Sequence, residues 1–175
     1  MEYNNPSELI KNLNFGEEAK SQIRNGARKL ANAVSSTLGA SGKCVIYEDA
    51  RGKPVITKDG VTVAESVVLY DPVENIGATL IKEAARNTVK EAGDGTTTAT
   101  VLADALMTCA FYREDIPIRK IKEGINSAYN KVVKYLDDAS VKIEGDMLES
   151  VSSISCNNDA ELGKIIAEAL SLIHI

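Results

Sequence analysis

Gly93-Asp94-Gly95-Thr96-Thr97-Thr98-Ala99-Thr100 is the stretch on which the reading of this chain turns. It sets a carboxylate between two glycines and follows them with a run of hydroxyls. An amphipathic helical pattern comes next, with Val101, Leu102, Ala105, Leu106 and Cys109 on or near one stripe. Glycine lets the backbone approach a ligand closely and adopt positive φ. A helix that starts behind such a turn offers unpaired N–H groups and the positive end of its dipole, which suits phosphate. The threonines can cap that helix or donate to phosphate oxygens. A plain capped helix after a turn also fits, but three consecutive threonines exceed what a cap needs.

The surroundings are mostly helical. From Phe15, the residues Ala19, Ile23, Ala27, Leu30, Ala31, Val34 and Leu38 recur at three- and four-residue steps, and Gly39 supplies a stop. Residues 1–14 have weak periodicity. Residues 43–47 and 55–57 read as two short strands joined by turn residues, a hairpin. Residues 61–69 fit a short helix or an extended segment. Residues 73–92 form a helix with Ile76, Leu80, Ile81, Ala84 and Ala85 as its apolar stripe. The helix behind the glycines runs to about Tyr112. Pro117 suits a first helical turn, and Ile118 to Leu136 mark a further long helix. Residues 137–146 are acidic and irregular, a candidate domain boundary, and two shorter helices follow near 146–153 and 159–171. The absence of alternating strands and helices argues against a doubly wound sheet; the expected class is mainly α with one small β-hairpin.

Composition narrows the function. The chain has 175 residues, 44% of them apolar, enough to fill the core of one ordinary domain. Its net charge of −5 argues against binding nucleic acid by phosphate neutralisation. It does not argue against a nucleotide, because Mg²⁺ and backbone N–H groups supply positive field locally. Nothing approaches the ~20 apolar residues of a membrane span. The first residues carry no basic, apolar leader pattern, so a cytoplasmic location is expected. Cys44, Cys109 and Cys156 form neither a CxxC pair nor a zinc spacing, and read as reduced, mostly buried thiols. The single histidine, His174, forms no evident Cys/His dyad.

Gly42-Lys43 is not a Walker A loop: Thr37 stands where that motif needs its first glycine, and Cys44 where it needs Ser or Thr. Lys58-Asp59-Gly60 taken alone is a surface turn. Asp94 is the candidate Mg²⁺ ligand, since Mg²⁺ takes one or two carboxylates plus phosphate oxygens and waters. Thr96, Thr97 and Thr98, with their amides and the flanking Gly95, are the candidate phosphate holders.

Several motifs together resemble one family. Thr37-Leu38-Gly39, then Ile56-Thr57-Lys58-Asp59-Gly60-Val61-Thr62-Val63-Ala64, then Asp94 to Thr98 follow the order and spacing of group I chaperonins, the GroEL type. Ser153-Ile154-Ser155, Asn157-Asn158-Asp159 and Gly163 to Ala169 resemble the start of that family's intermediate domain. The resemblance covers roughly residues 15 to 170. It implies an equatorial, ATP-binding domain over 1–140 and the beginning of an intermediate domain over 141–175. It places Thr37, Leu38, Gly39 and Ala40 on the wall of the nucleotide pocket and Lys58 beside the nucleotide. It gives Asp59 a catalytic role, positioning the attacking water. Implied with these are Mg-ATP hydrolysis, a homo-oligomeric ring of stacked heptamers, a co-chaperonin lid and non-native polypeptide clients.

Two departures qualify the resemblance. Ala40-Ser41 stands where the family has Pro-Lys, removing a rigid φ and a positive charge. Family members are also much longer, and the tail Ser171-Leu172-Ile173-His174-Ile175 leaves their pattern. A truncated product with exposed apolar stripes is therefore expected, one that does not complete hydrolysis alone. A short chain that inserts into, or interferes with, a complete ring is the alternative. An unrelated ATP-using enzyme is disfavoured, because nothing marks an acceptor site.

Overall fold

The computed structural model describes residues 13–39, 41–156 and 158–173. The expectations for residues 1–12, Ala40, Asn157 and His174 lie outside the described residues. Among those described, the fold is mainly α, with seven helices and one two-stranded antiparallel sheet, as the sequence predicts. The chain divides into two compact units, one through Ile118 and one from Arg119.

The first unit is built on α1 (Gly16–Ser35) and α3 (Pro72–Ala92). They pack so closely that a Cβ on Gly26 would overlap the Glu74 carbonyl, and one on Gly77 the Ile23 carbonyl. Ala27, Leu30 and Val34 of α1 meet Ala78 and Ile81 of α3. Val63 and Ala64 of α2 (Gly60–Ser66) complete this core, and Ala103 and Met107 of α4 (Thr96–Phe111) pack against it.

α1 stops earlier than its apolar periodicity suggests. The hydroxyls of Ser35, Ser36 and Thr37 donate to the carbonyls of Asn32, Ala33 and Val34 at 3.1, 2.7 and 2.7 Å. Such hydroxyls satisfy the last carbonyls of a helix and compete with its ladder. Thr37 to Gly39 are thereby released into a loop. β1 (Val45–Glu48) then pairs with β2 (Pro54–Thr57), Ile46 opposite Ile56. β2 leads through Lys58-Asp59 into α2, which settles residues 61–69 as a helix to Ser66 followed by an extended Val67.

Two predicted stripes are rotated. On α3, Ile76 and Leu80 are exposed, because Gly77, Ala78, Ile81 and Ala85 form the face that allows close approach to α1. On α4, Leu102, Ala105, Leu106 and Cys109 are exposed; the inward positions are Thr96, Thr100, Ala103 and Met107. The cysteines are also not mostly buried. Cys44 lies exposed before β1, Cys109 sits on the outer side of α4 and Cys156 is half-buried; all three are free.

In the second unit, no residue of α5 (Ile118–Ala139) is buried. α6 (Met147–Ser155) and α7 (Ala160–Ile173) form a helical hairpin. Asn158 turns it with φ 65°, a conformation Asn tolerates, and Asp159 Oδ1 accepts from Leu162 N at 3.0 Å. A Cβ on Gly163 would overlap Ser153, so these helices also pack backbone to side chain. Among the described residues no helix is long and apolar enough to cross a membrane.

Candidate functional site

Three segments of the first unit converge on a cleft of about 300 Å³. They are the loop after α1 (Thr37, Leu38, Gly39), the β2–α2 corner (Lys58, Asp59, Gly60) and the start of α4 (Asp94 to Thr98). All the sequence-derived site residues therefore line one cleft, except Ala40, which lies outside the described residues. Gly60 joins them. The volume is at the lower end of the usual range for small-molecule sites, roughly 300–1,000 Å³.

The start of α4 decides what the cleft can hold. Gly93 closes α3 in the left-handed region at φ 73°, its N–H donating to Val89 O at 2.9 Å. Gly95, at φ 81°, is the N-cap of α4 and contributes no side chain. The ladder begins with Ala99 N donating to Gly95 O at 2.8 Å. The amides of Thr96, Thr97 and Thr98 precede it, and no side chain among the described residues caps the helix. The threonines sit inside the helix rather than at its cap, which removes the plain capped-helix reading. What remains is a set of N–H groups at a dipole end worth about half a positive charge.

The three threonines are not equivalent. Thr96 is buried, Thr97 half-buried and Thr98 exposed. Thr97 Oγ1 lies 3.4 Å from Thr37 Oγ1. Thr37 already donates its one proton to Val34 O, so Thr97 is the donor between them. A Cβ on Gly60 would overlap Thr97 Oγ1. Thr97 thus pins α4 to both other segments of the cleft.

Asp59 caps α2. Its Oδ1 accepts from Val61 N at 3.3 Å, and its Oδ2 accepts from Thr62 N at 2.8 Å and Thr62 Oγ1 at 2.5 Å. Partial burial pushes its pKa up, but the bonds from Thr62 and Val61 outweigh this and hold the carboxyl below its ordinary range. Asp94 is exposed, with Oδ1 accepting from Gly95 N at 2.6 Å. Lys58, also exposed, adds a positive charge to the lining.

These groups suit a phosphate chain with a hard cation. Free amides and Lys58 match phosphate oxygens. Among the described residues no group of three or more His, Cys, Asp or Glu gathers to enclose a metal. A single exposed carboxylate such as Asp94 is what Mg²⁺ takes when substrate phosphates and water complete its shell. Sequence reading missed three features: Gly60 as a lining residue, the Thr37–Thr97 contact and Thr62. Gly60 and Thr62 both lie in the quoted Ile56–Ala64 motif, and Thr62 also stands three residues after a capping aspartate; the Thr37–Thr97 contact left no signal.

Comparison with known proteins identifies similar structures and a family. The chaperonin gp146 of bacteriophage EL 2 (Pseudomonas aeruginosa), crystallised in the presence of ATP-BeFx, is 29% identical with a TM-score of 0.77; the match covers 88% of this chain and 28% of that one. A second crystal form of the same protein gives a TM-score of 0.76. A group III chaperonin in the open state is 27% identical with a TM-score of 0.77, over 90% of this chain and 32% of that one. This chain thus spans about a third or less of the length of these relatives. Residues 30–175 match the model of the TCP-1/cpn60 chaperonin family, and the chain belongs to that family.

Proposed function

We propose that this chain is the nucleotide-binding portion of a chaperonin subunit. Residues 1–140 belong on this reading to an equatorial domain and 141–175 to the start of an intermediate domain. The observation that carries it is the uncapped start of α4, whose Thr96, Thr97 and Thr98 line a cleft shared with Lys58, Asp59 and Asp94. The amides and Lys58 take the β- and γ-phosphates of ATP. Asp94 holds Mg²⁺, which neutralises charge on the phosphates. Asp59 orients water, and Thr37, Leu38 and Gly39 form the wall. Phosphoryl transfer asks a protein mainly for positioning and charge neutralisation, and the cleft offers both.

In a complete subunit, ATP would favour one arrangement of the domains through its differential contacts, and so drive enclosure of a non-native polypeptide. The partners on this reading are other chaperonin subunits in a cytoplasmic ring, as stacked heptamers with a co-chaperonin lid if the group I likeness of the motifs holds. A second reading, a non-enzymatic chain that enters a complete ring, is favoured by the exposed Ile118, Val132, Leu136, Ile154 and Ile165. Hydrogen exchange with and without Mg-ATP tests the first: the amides of Thr96 to Thr98 gain protection. Unchanged exchange there, together with co-purification on full-length chaperonin, favours the second.

A further inference from the structure

Asp59 carries more hydrogen bonds than its role in the cleft alone requires. A carboxylate offers about four acceptor positions. Thr62 N and Thr62 Oγ1 occupy both on Oδ2, and Val61 N occupies one on Oδ1. We infer that Thr62 is the positioning residue for Asp59: its amide and hydroxyl fix Oδ2 to the first turn of α2 and leave Asp59 a single open acceptor, on Oδ1.

The inference rests on the reading of the cleft as a nucleotide site and refines it. With one open position, Asp59 serves a ligand at a single point, orienting one water. Two-oxygen chelation of a cation would require breaking the Thr62 contacts and uncapping α2, so Asp59 has one oxygen at most to give a cation, whereas Asp94 is exposed and accepts only one hydrogen bond among the described residues. The hydroxyl is the adjustable part of the grip, because the amide bonds of Val61 and Thr62 survive any change of side chain. Lys58 and Asp94 are the charged groups that share the cleft lining with Asp59, and neither replaces the Thr62 hydroxyl as a donor in the structure.

The test uses the whole chain with Thr62→Val, Thr62→Ser, Asp59→Asn and the Thr62→Val/Asp59→Asn pair. Thermal melts establish that each is folded. Carboxyl-carbon NMR follows the titration of Asp59 without ligand, and calorimetry follows Mg-ATP. The expected results are an upward shift of the Asp59 titration in Thr62→Val, none in Thr62→Ser, and a roughly three- to tenfold loss of Mg-ATP affinity in Thr62→Val, the worth of about one hydrogen bond. Thr62→Val adds no further loss on top of Asp59→Asn, because it acts through that carboxylate. An unmoved titration in Thr62→Val, or losses that add in full, overturns the inference. If the wild-type chain binds no Mg-ATP while the titration shifts as expected, the grip of Thr62 stands and only the nucleotide reading falls.

Discussion

Thr97 and Gly60 meet where α4 starts against α2: the Thr97 hydroxyl occupies the space that a Cβ on Gly60 would need. Position 60 therefore has to be glycine for steric reasons. Gly60→Ala should destabilise by about 1–3 kcal/mol, the usual cost of overpacking. Thr97→Ala added to it should recover part of the loss, because the two changes remove one overlap. Denaturant titration of the single and double variants checks this; strict additivity would contradict the contact.

Gly95 differs in kind from Gly60. A Cβ there meets nothing closer than Thr88 Cγ2 at 3.7 Å, so there is room. The cost of Gly95→Ala comes from φ 81° alone, about 1–2 kcal/mol. Gly95→Asn should cost less, since Asn tolerates the left-handed region. Equal melting temperatures for Gly95→Ala and wild type would contradict this account.

Thr100 is fully buried, and its Oγ1 has no hydrogen-bond partner among the described residues. An unmade hydrogen bond of this kind costs about 1–3 kcal/mol. Thr100→Val keeps the shape and removes the hydroxyl, so it should leave stability unchanged or raise it by about 1 kcal/mol. A clear loss in chemical denaturation would mean that the hydroxyl has a partner.

Asp59 sets an acid limit. Its folded-state pKa lies below the ordinary 3.8, so its contribution to stability is present above that value and is lost as pH falls through the folded value. Asp59→Asn keeps one capping oxygen but loses the carboxylate's second acceptor and its charge, so it should lower stability modestly at neutral pH and flatten this part of the acid-unfolding curve. Identical curves below pH 4 for wild type and Asp59→Asn would contradict the capping bonds.

Much of this architecture is legible in the sequence, and the failures have physical causes. The helix and hairpin spans follow from periodicity and from the glycines at 39, 93 and 95. The facing of α4 was not legible, because its inward positions include Thr96 and Thr100 while Leu102 and Leu106 point outward. On α3, Ile76 and Leu80 carry the hydrophobic signal, yet small residues carry the packing, since Gly77 and Ala78 let α1 approach. Lys82 is buried, its Nζ 3.3 Å from Glu65 O, and burial pushes its pKa down; nothing local in the sequence marks it. The cleft residues were found because their motifs are co-linear. The Thr37–Thr97 contact spans sixty positions and required the fold.

The most direct test is calorimetry of Mg-ATP against the purified chain and its Asp94→Ala variant, with melting curves for both. Asp94 is exposed and, among the described residues, accepts only from the neighbouring Gly95 amide, so its removal should leave the fold intact. The account predicts Mg²⁺-dependent binding by the wild-type chain that disappears in Asp94→Ala at an unchanged melting temperature. Equal binding by the two folded proteins, or none by a folded wild-type chain, would contradict it.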